Sequence, residues 1–262
     1  MAKIAKNTKA VAKVEEKTAA LTTGFGTLNK ISTSLAKEMD GLDAVFDRIR
    51  MPIGGIVSFE LPTDDPDVTE TVKEISAVIL YHHPMRAYYK EPYTGGNNPP
   101  DCGSLDGVVG KGEPGGMCDH CAFNLFGSTE NGGKACKERH RLFLLQEGDI
   151  FPKILSLPTG SLKEFARYLM TCIPVWKSSN AGVTRISLTK AVNKGGIVYS
   201  KAQFRMGRTL TEKEIAAIKP LVEQVQVISQ EVIIAEPMED DSTELESSET
   251  APTGAALHKG AA

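Results

Sequence analysis

Apolar residues in this chain fall into short runs with two different periods. Ile56-Val57-Ser58-Phe59-Glu60-Leu61, entered from Gly54-Gly55 and ended by Pro62, predicts a first strand. Ile75 to Tyr81 predicts a buried second strand, interrupted at Pro84, with Met85 to Lys90 continuing or returning it. Arg141 to Leu145 and Lys153 to Leu157 predict further strand pieces, joined by Glu147-Gly148-Asp149. After the turn Leu157-Pro158-Thr159-Gly160 the period changes. Leu162, Phe165, Leu169 and Cys172 recur at helical spacing, which makes Cys172 a core thiol. Ser161 with Glu164 three residues later reads as a capping box, so a helix is expected from there to about Ile173, stopped by Pro174. Val183 to Arg208 alternates with period two around Asn193-Lys194-Gly195-Gly196 and predicts a hairpin. Thr211 and Glu214 form a second capping box, opening a helix that Pro220 kinks or divides. Ser34 to Arg50 is expected to hold a short helix, and the Lys- and Ala-rich residues 1–20 a mobile arm or weak helix.

Composition narrows the class. At 262 residues, 41% hydrophobic and 24% charged, the chain reads as an ordinary globular protein, one large domain or a domain with appendages. Its longest apolar runs, Ala77–Tyr81 and Val232–Ala235, are too short to cross a bilayer, and the first residues lack the apolar core of a secretory signal. A reducing cytoplasm, with no membrane partner, is the expected setting.

Charge is unevenly spread. The net −3 includes seven acidic and no basic residues between Glu236 and Thr250; without the residues after Ala235 the balance is 29 Lys+Arg against 26 Asp+Glu. Between Lys134 and Lys213 there are 15 basic and 5 acidic residues. A basic body with an acidic, low-aromatic and therefore disordered tail points to a polyanion partner that the tail can mimic.

Four of the five cysteines fall in one stretch, Cys102-x15-Cys118-x2-Cys121-x14-Cys136, flanked by glycines. The knuckle Cys118-Asp119-His120-Cys121 lets two thiolates of one tight turn bind the same ion, and Cys102 and Cys136 complete a tetrahedral Zn2+ site. His120 and His140 are substitute ligands that the thiolates make unnecessary. Two disulfides or four unrelated cysteines are the competing readings, and a C-x2-C pair in a reducing compartment favours metal. Four thiolates leave no open position, so one structural Zn2+ per chain is expected, ordering a segment that has little apolar core of its own.

Candidate nucleic-acid contacts come from two places. The hairpin has six basic residues and no acidic one; period two puts Arg185, Tyr199, Lys201 and Arg205 on one exposed face, with Lys190 and Lys194 towards the turn. A solvated face ordinarily mixes both signs. Around the second strand, Tyr88 and Tyr89 with Arg86 offer flat rings beside a cation, suited to stacking unpaired bases; the competing reading is tyrosines at a sheet rim. His82-His83 reads as an exposed strand end, and Asp64, Asp65 and Asp67 as a solvated turn rather than a carboxylate site.

The order β-β-β-α-β-β is that of an OB-fold, a small Greek-key barrel that binds oligonucleotides. With Cys102, Cys118, Cys121 and Cys136, the basic hairpin and the acidic run Glu236 to Glu249, the chain resembles bacteriophage single-stranded DNA-binding proteins. That resemblance implies a mainly β fold with helices (α+β): an OB-fold-like five-stranded barrel over residues 21–235, a zinc-binding insertion at 99–141, an arm at 1–20 and a tail at 236–262. It implies a non-enzymatic protein that coats and protects single-stranded DNA, or RNA, without sequence specificity during replication or recombination, and that recruits partner proteins through its tail. The alternatives are a zinc-stabilised protein-binding adaptor or transcription regulator, and a zinc-containing nuclease or recombinase. The last requires a carboxylate cluster or an open metal site that the sequence does not offer.

Overall fold

The computed structural model describes residues 25, 46–52, 54–63, 65, 68–91, 100–130, 132–193 and 195–229. The expected arm, the acidic tail, Lys194 and most of the helix expected from Ser34 lie outside these residues. Among these residues the fold is mainly β with two α-helices. In chain order the strands are β1 (Arg48–Ile49), β2 (Phe59–Pro62), β3 (Thr69–Val72), β4 (Glu74–Tyr88), β5 (Cys102–Ser104), β6 (Val109–Gly112), β7 (Gly116–Met117), β8 (Lys137–Gln146) and β9 (Lys153–Pro158). Helix α1 (Thr159–Trp176) follows, then β10 (Gly182–Val192), β11 (Val198–Thr209) and helix α2 (Glu212–Ile228).

The 15-residue β4 is the spine. It pairs antiparallel with β8 along most of its length, from Ala77↔Gln146 to Ala87↔Lys137. On its other edge it pairs with β10 at Glu74 to Val78 and with β5 at Arg86 to Tyr88. A bulge between Ile79 and Tyr81 resets which side chains face which layer. Val78, Ile79 and Leu80 are all buried, because both faces are covered. On one face Ala77, Ile79, Leu142, Leu144, Leu155 and Ile186 pack with Phe165 and Tyr168 of α1. On the other, Val78, Leu80, Phe143 and Leu145 pack with Ile218, Leu221 and Val225 of α2.

Strands β4, β8 and β9 form a meander, and α1 then carries the chain back so that β10 lies beside β4 and β11 beside β10. The spatial order β9-β8-β4-β10 is a Greek key. An OB-fold-like five-stranded barrel was expected; among the described residues the strands do not close into a barrel. The free edge of β9 is taken by β1 in parallel, and among the described residues β11 pairs with β10 alone. The segment leading to β2 fills that gap through a side chain: the Ser200 hydroxyl donates to the Ile56 carbonyl at 2.7 Å.

Three local expectations are corrected. Pro84 does not interrupt β4, since between Ile79 and Met85 the strand has, among the described residues, a neighbour on one edge only, and a missing N–H is tolerated there. Ser161 does not cap α1. Its hydroxyl accepts from the Ala202 N–H at 3.0 Å, satisfying the outer edge of β11, and the helix begins two residues earlier. Nor does Pro174 end α1. The helix runs on to Trp176, whose indole N–H donates to Thr209 Oγ1 at 3.1 Å and whose ring packs where a Cβ on Gly182 would stand. The capping box of α2 forms as read, with Thr211 Oγ1 accepting from the Glu214 N–H, and the helix passes Pro220 unbroken.

Candidate metal centre and nucleic-acid interface

The long connection from β4 to β8 forms a lobe that holds four of the five cysteines. Cys102 enters opposite Tyr88 in the β4–β5 register. The knuckle is a 3-10 turn over Cys118–His120, closed by the Cys121 N–H to the Cys118 carbonyl at 3.3 Å. Asn124 Nδ2 donates to the same carbonyl at 2.9 Å, and the Cys136 N–H donates to the Phe123 carbonyl at 2.8 Å, tying the start of β8 to the knuckle. All four thiols are free of disulfides and line one small pocket together with Tyr88, Gly110 and Asn124. Cys102, Cys118 and Cys136 are buried. Two glycines make room. A Cβ on Gly110 would stand 2.8 Å from Cys102 Sγ and 3.8 Å from Cys118 Sγ. Gly112 has φ +109° and a Cβ there would meet the Asp101 carbonyl at 2.1 Å. Cys172 is separate, buried in α1.

As the side chains stand, no group of three or more His, Cys, Asp or Glu among the described residues is positioned to hold a metal ion. The four free thiols enclosed in one pocket are the donor chemistry of a tetrathiolate set. Burial first, then the neighbouring thiol of Cys118, push Cys136 up to about 12, with Arg86 opposing. An ion binding here would have to displace the proton that Cys136 retains, so its affinity would fall as the pH falls.

Arg86, expected at a nucleic-acid surface, is part of this lobe. Its side chain is 16% exposed, with Nη2 2.9 Å from Glu138 Oε1 and Nη1 3.6 Å from Asp119 Oδ1. Lys134 approaches the same Glu138 oxygen at 3.6 Å. Tyr88 stacks on Phe123 at 4.1 Å with the rings 13° apart, so one face of its ring is already used; Tyr89 is half-buried. His140 does not reach the pocket. Its Nε2 shares a hydrogen bond of 2.9 Å with His82 Nδ1, and Phe165 packs against both rings. His83 is buried, so His82-His83 is not an exposed strand end. Burial first, then the positive charges of His82 and His83, lower His140 to about 4.

The hairpin forms in the expected register, but its basic face is smaller than the alternation implied. Arg185 and Arg205 are exposed register partners. Arg185 Nε donates to Glu74 Oε1 at 2.7 Å while its side chain stays 52% exposed. Lys190 is exposed. Lys201 is half-buried with Nζ 3.2 Å from Glu164 Oε1, and Tyr199 is buried, so neither stands on an open face. Sequence reasoning missed Glu138 and Asp119 as the partners that gather Arg86. It also missed that β8 begins at Lys137, four residues before the expected start, which puts Arg139 on the strand, and that Arg141 is fully buried.

No protein-family model, curated protein or solved structure matches this chain. No helix among the described residues is long and apolar enough to cross a membrane.

Proposed function

We propose that this protein binds single-stranded nucleic acid, DNA in the first place, without sequence specificity, coating and protecting it during replication or recombination of the bacteriophage type. The observation that carries the reading is the exposed pair Arg185↔Arg205. Like charges directly opposite on neighbouring strands are destabilising, and among the described residues one carboxylate, Glu74, meets the Arg185 side of the pair. A phosphate seated between two guanidinium groups removes the repulsion. The Greek-key order of β4, β8, β9, β10 and β11, with α1 between the third and fourth, supports an OB-like reading, since that fold is a partly open five-stranded barrel used for oligonucleotides. The basic excess between Lys134 and Lys213 supplies the sequence-independent attraction.

Zn2+ is the proposed cofactor, one per chain, held by Cys102, Cys118, Cys121 and Cys136. It would fix the Gly-rich lobe against the end of β4, and a closed thiolate set gives it no catalytic position, so no enzymatic activity is proposed. The acidic tail at 236–262 would compete for the basic face and recruit replication or recombination proteins. Binding of labelled single strands tests the nucleic-acid reading; metal analysis of protein purified without chelator tests the zinc.

A protein-binding adaptor is the second reading. It is favoured by the apolar side chains that the lobe exposes, Val109, Met117, Leu125 and Phe126. A mobility shift with single strands separates the two.

A further inference from the structure

We infer that Arg86 is a positioning residue of the cysteine centre: its buried Nη1–H donates to a metal-bound thiolate sulfur, and its charge offsets the negative charge of the thiolate set. The inference rests on the zinc reading above. Arg86 lies two residues before Tyr88, on the same face of β4, and Tyr88 lines the thiol pocket. Its register partners are Ser104 and Glu138, each two residues beyond a cysteine, Cys102 and Cys136. The guanidinium is held from two sides, by Glu138 at the base of the lobe and by Asp119 inside the Cys118–Cys121 knuckle.

That grip leaves one donor over. Nη1 is buried and has no hydrogen-bond partner, its 3.6 Å approach to Asp119 being too long for one. A buried charged N–H left without an acceptor is costly. A neutral thiol is a weak acceptor, whereas a thiolate is a strong one for a charged donor. Zn2+ with four thiolates carries two net negative charges, and a nearby buried cation is the natural counterion. Loading the metal therefore supplies what Arg86 lacks, and Arg86 supplies what the loaded centre lacks. Outer partners of this kind typically change metal affinity by about 10–100-fold when removed.

The test uses the full chain with Co2+ in place of Zn2+, together with Arg86→Met and Arg86→Gln. The readouts are the thiolate-to-cobalt charge-transfer band and zinc affinity by competition with a chromophoric chelator. A hydrogen bond to sulfur raises the energy of that band. Arg86→Met should bind one Co2+ with the band moved to lower energy and zinc affinity reduced about 10–100-fold. Arg86→Gln keeps an N–H donor without the charge and should recover part of the band position but less of the affinity. If Arg86→Met retains both the band and the affinity of the parent, the inference is overturned. If the parent itself takes up neither Co2+ nor Zn2+, the zinc reading falls as well. A variant that fails to fold is recognised by its far-ultraviolet spectrum, and Arg86→Gln then decides the question.

Discussion

Arg205 stands directly across the hairpin from Arg185, both of them exposed, and among the described residues Glu74 bonds the Arg185 side. In the absence of a polyanion this pairing costs stability. Replacing Arg205 with Ala should therefore leave the protein as stable or stabilise it by about 0.2–1 kcal/mol at low salt, the gain shrinking as salt screens the repulsion. Urea unfolding of parent and variant at two salt concentrations measures this. A clear loss of stability would mean that Arg205 has a structural role.

Gly110 has no room for a methyl group beside Cys102 Sγ. Gly110→Ala should loosen the lobe, lowering bound zinc per chain and the melting temperature together. The control Gly127→Ala has open space around its Cβ position and a positive φ, so it should lower stability through backbone strain alone and keep its zinc. Metal analysis alongside thermal unfolding separates the two.

Glu214 joins α2 to the hairpin. Its oxygens accept from Arg208 at 2.7 and 3.0 Å and from the Thr211 N–H at 2.9 Å. The Arg208 bond, foremost, holds its carboxyl down at about 2 against an ordinary 4.5. A carboxylate lowered in this way contributes stability that is fully present above about pH 4.5 and is lost as the pH falls towards about 2. Glu214→Gln should cost about 1–3 kcal/mol at neutral pH, and the difference from the parent should close across that acid window. Denaturant unfolding at a series of pH values checks it.

His140 acts higher on the scale. A histidine lowered from 6.5 to about 4 resists protonation in the fold, so stability is complete above pH 6.5 and declines as the pH falls towards about 4. A His140→Gln variant should show a flatter stability profile between those values. A parent profile that is already flat there would contradict the buried His82–His140 pair.

Much of the fold follows from period and capping. Val78–Leu80, Lys153–Leu157, the hairpin register and the Thr211–Glu214 cap all lie within one element each, where local pattern governs. What the pattern could not show depends on distant partners. Ser161 serves Ala202 on β11 instead of its own helix, and Trp176 carries α1 past Pro174 by anchoring on Thr209. Period two set Tyr199 and Lys201 beside Arg205, but tertiary cover buries the first and Glu164 engages the second. The cysteine spacing brought four thiols to one pocket, whereas Arg86 looked like a surface cation because Glu138 and Asp119 are far from it in sequence.

The tail at 236–262 should act as a tethered competitor. On the proposed function, its seven acidic residues, tethered to the same chain, would compete with nucleic acid for the basic face. Deleting it should tighten binding to single strands, most at low salt where screening is weakest, and abolish partner recruitment. An affinity unchanged from low to moderate salt would leave the tail a solubility role only.

The most direct test of nucleic-acid binding is a salt series of affinity for a fluorescent single strand, comparing the parent with Arg185→Ala/Arg205→Ala. Each phosphate contact contributes about 0.7 to the slope of log affinity against log salt on single strands, so loss of two should flatten it by about 1.4. A parent that does not bind, or a double variant with the parent's slope and affinity, would contradict the account.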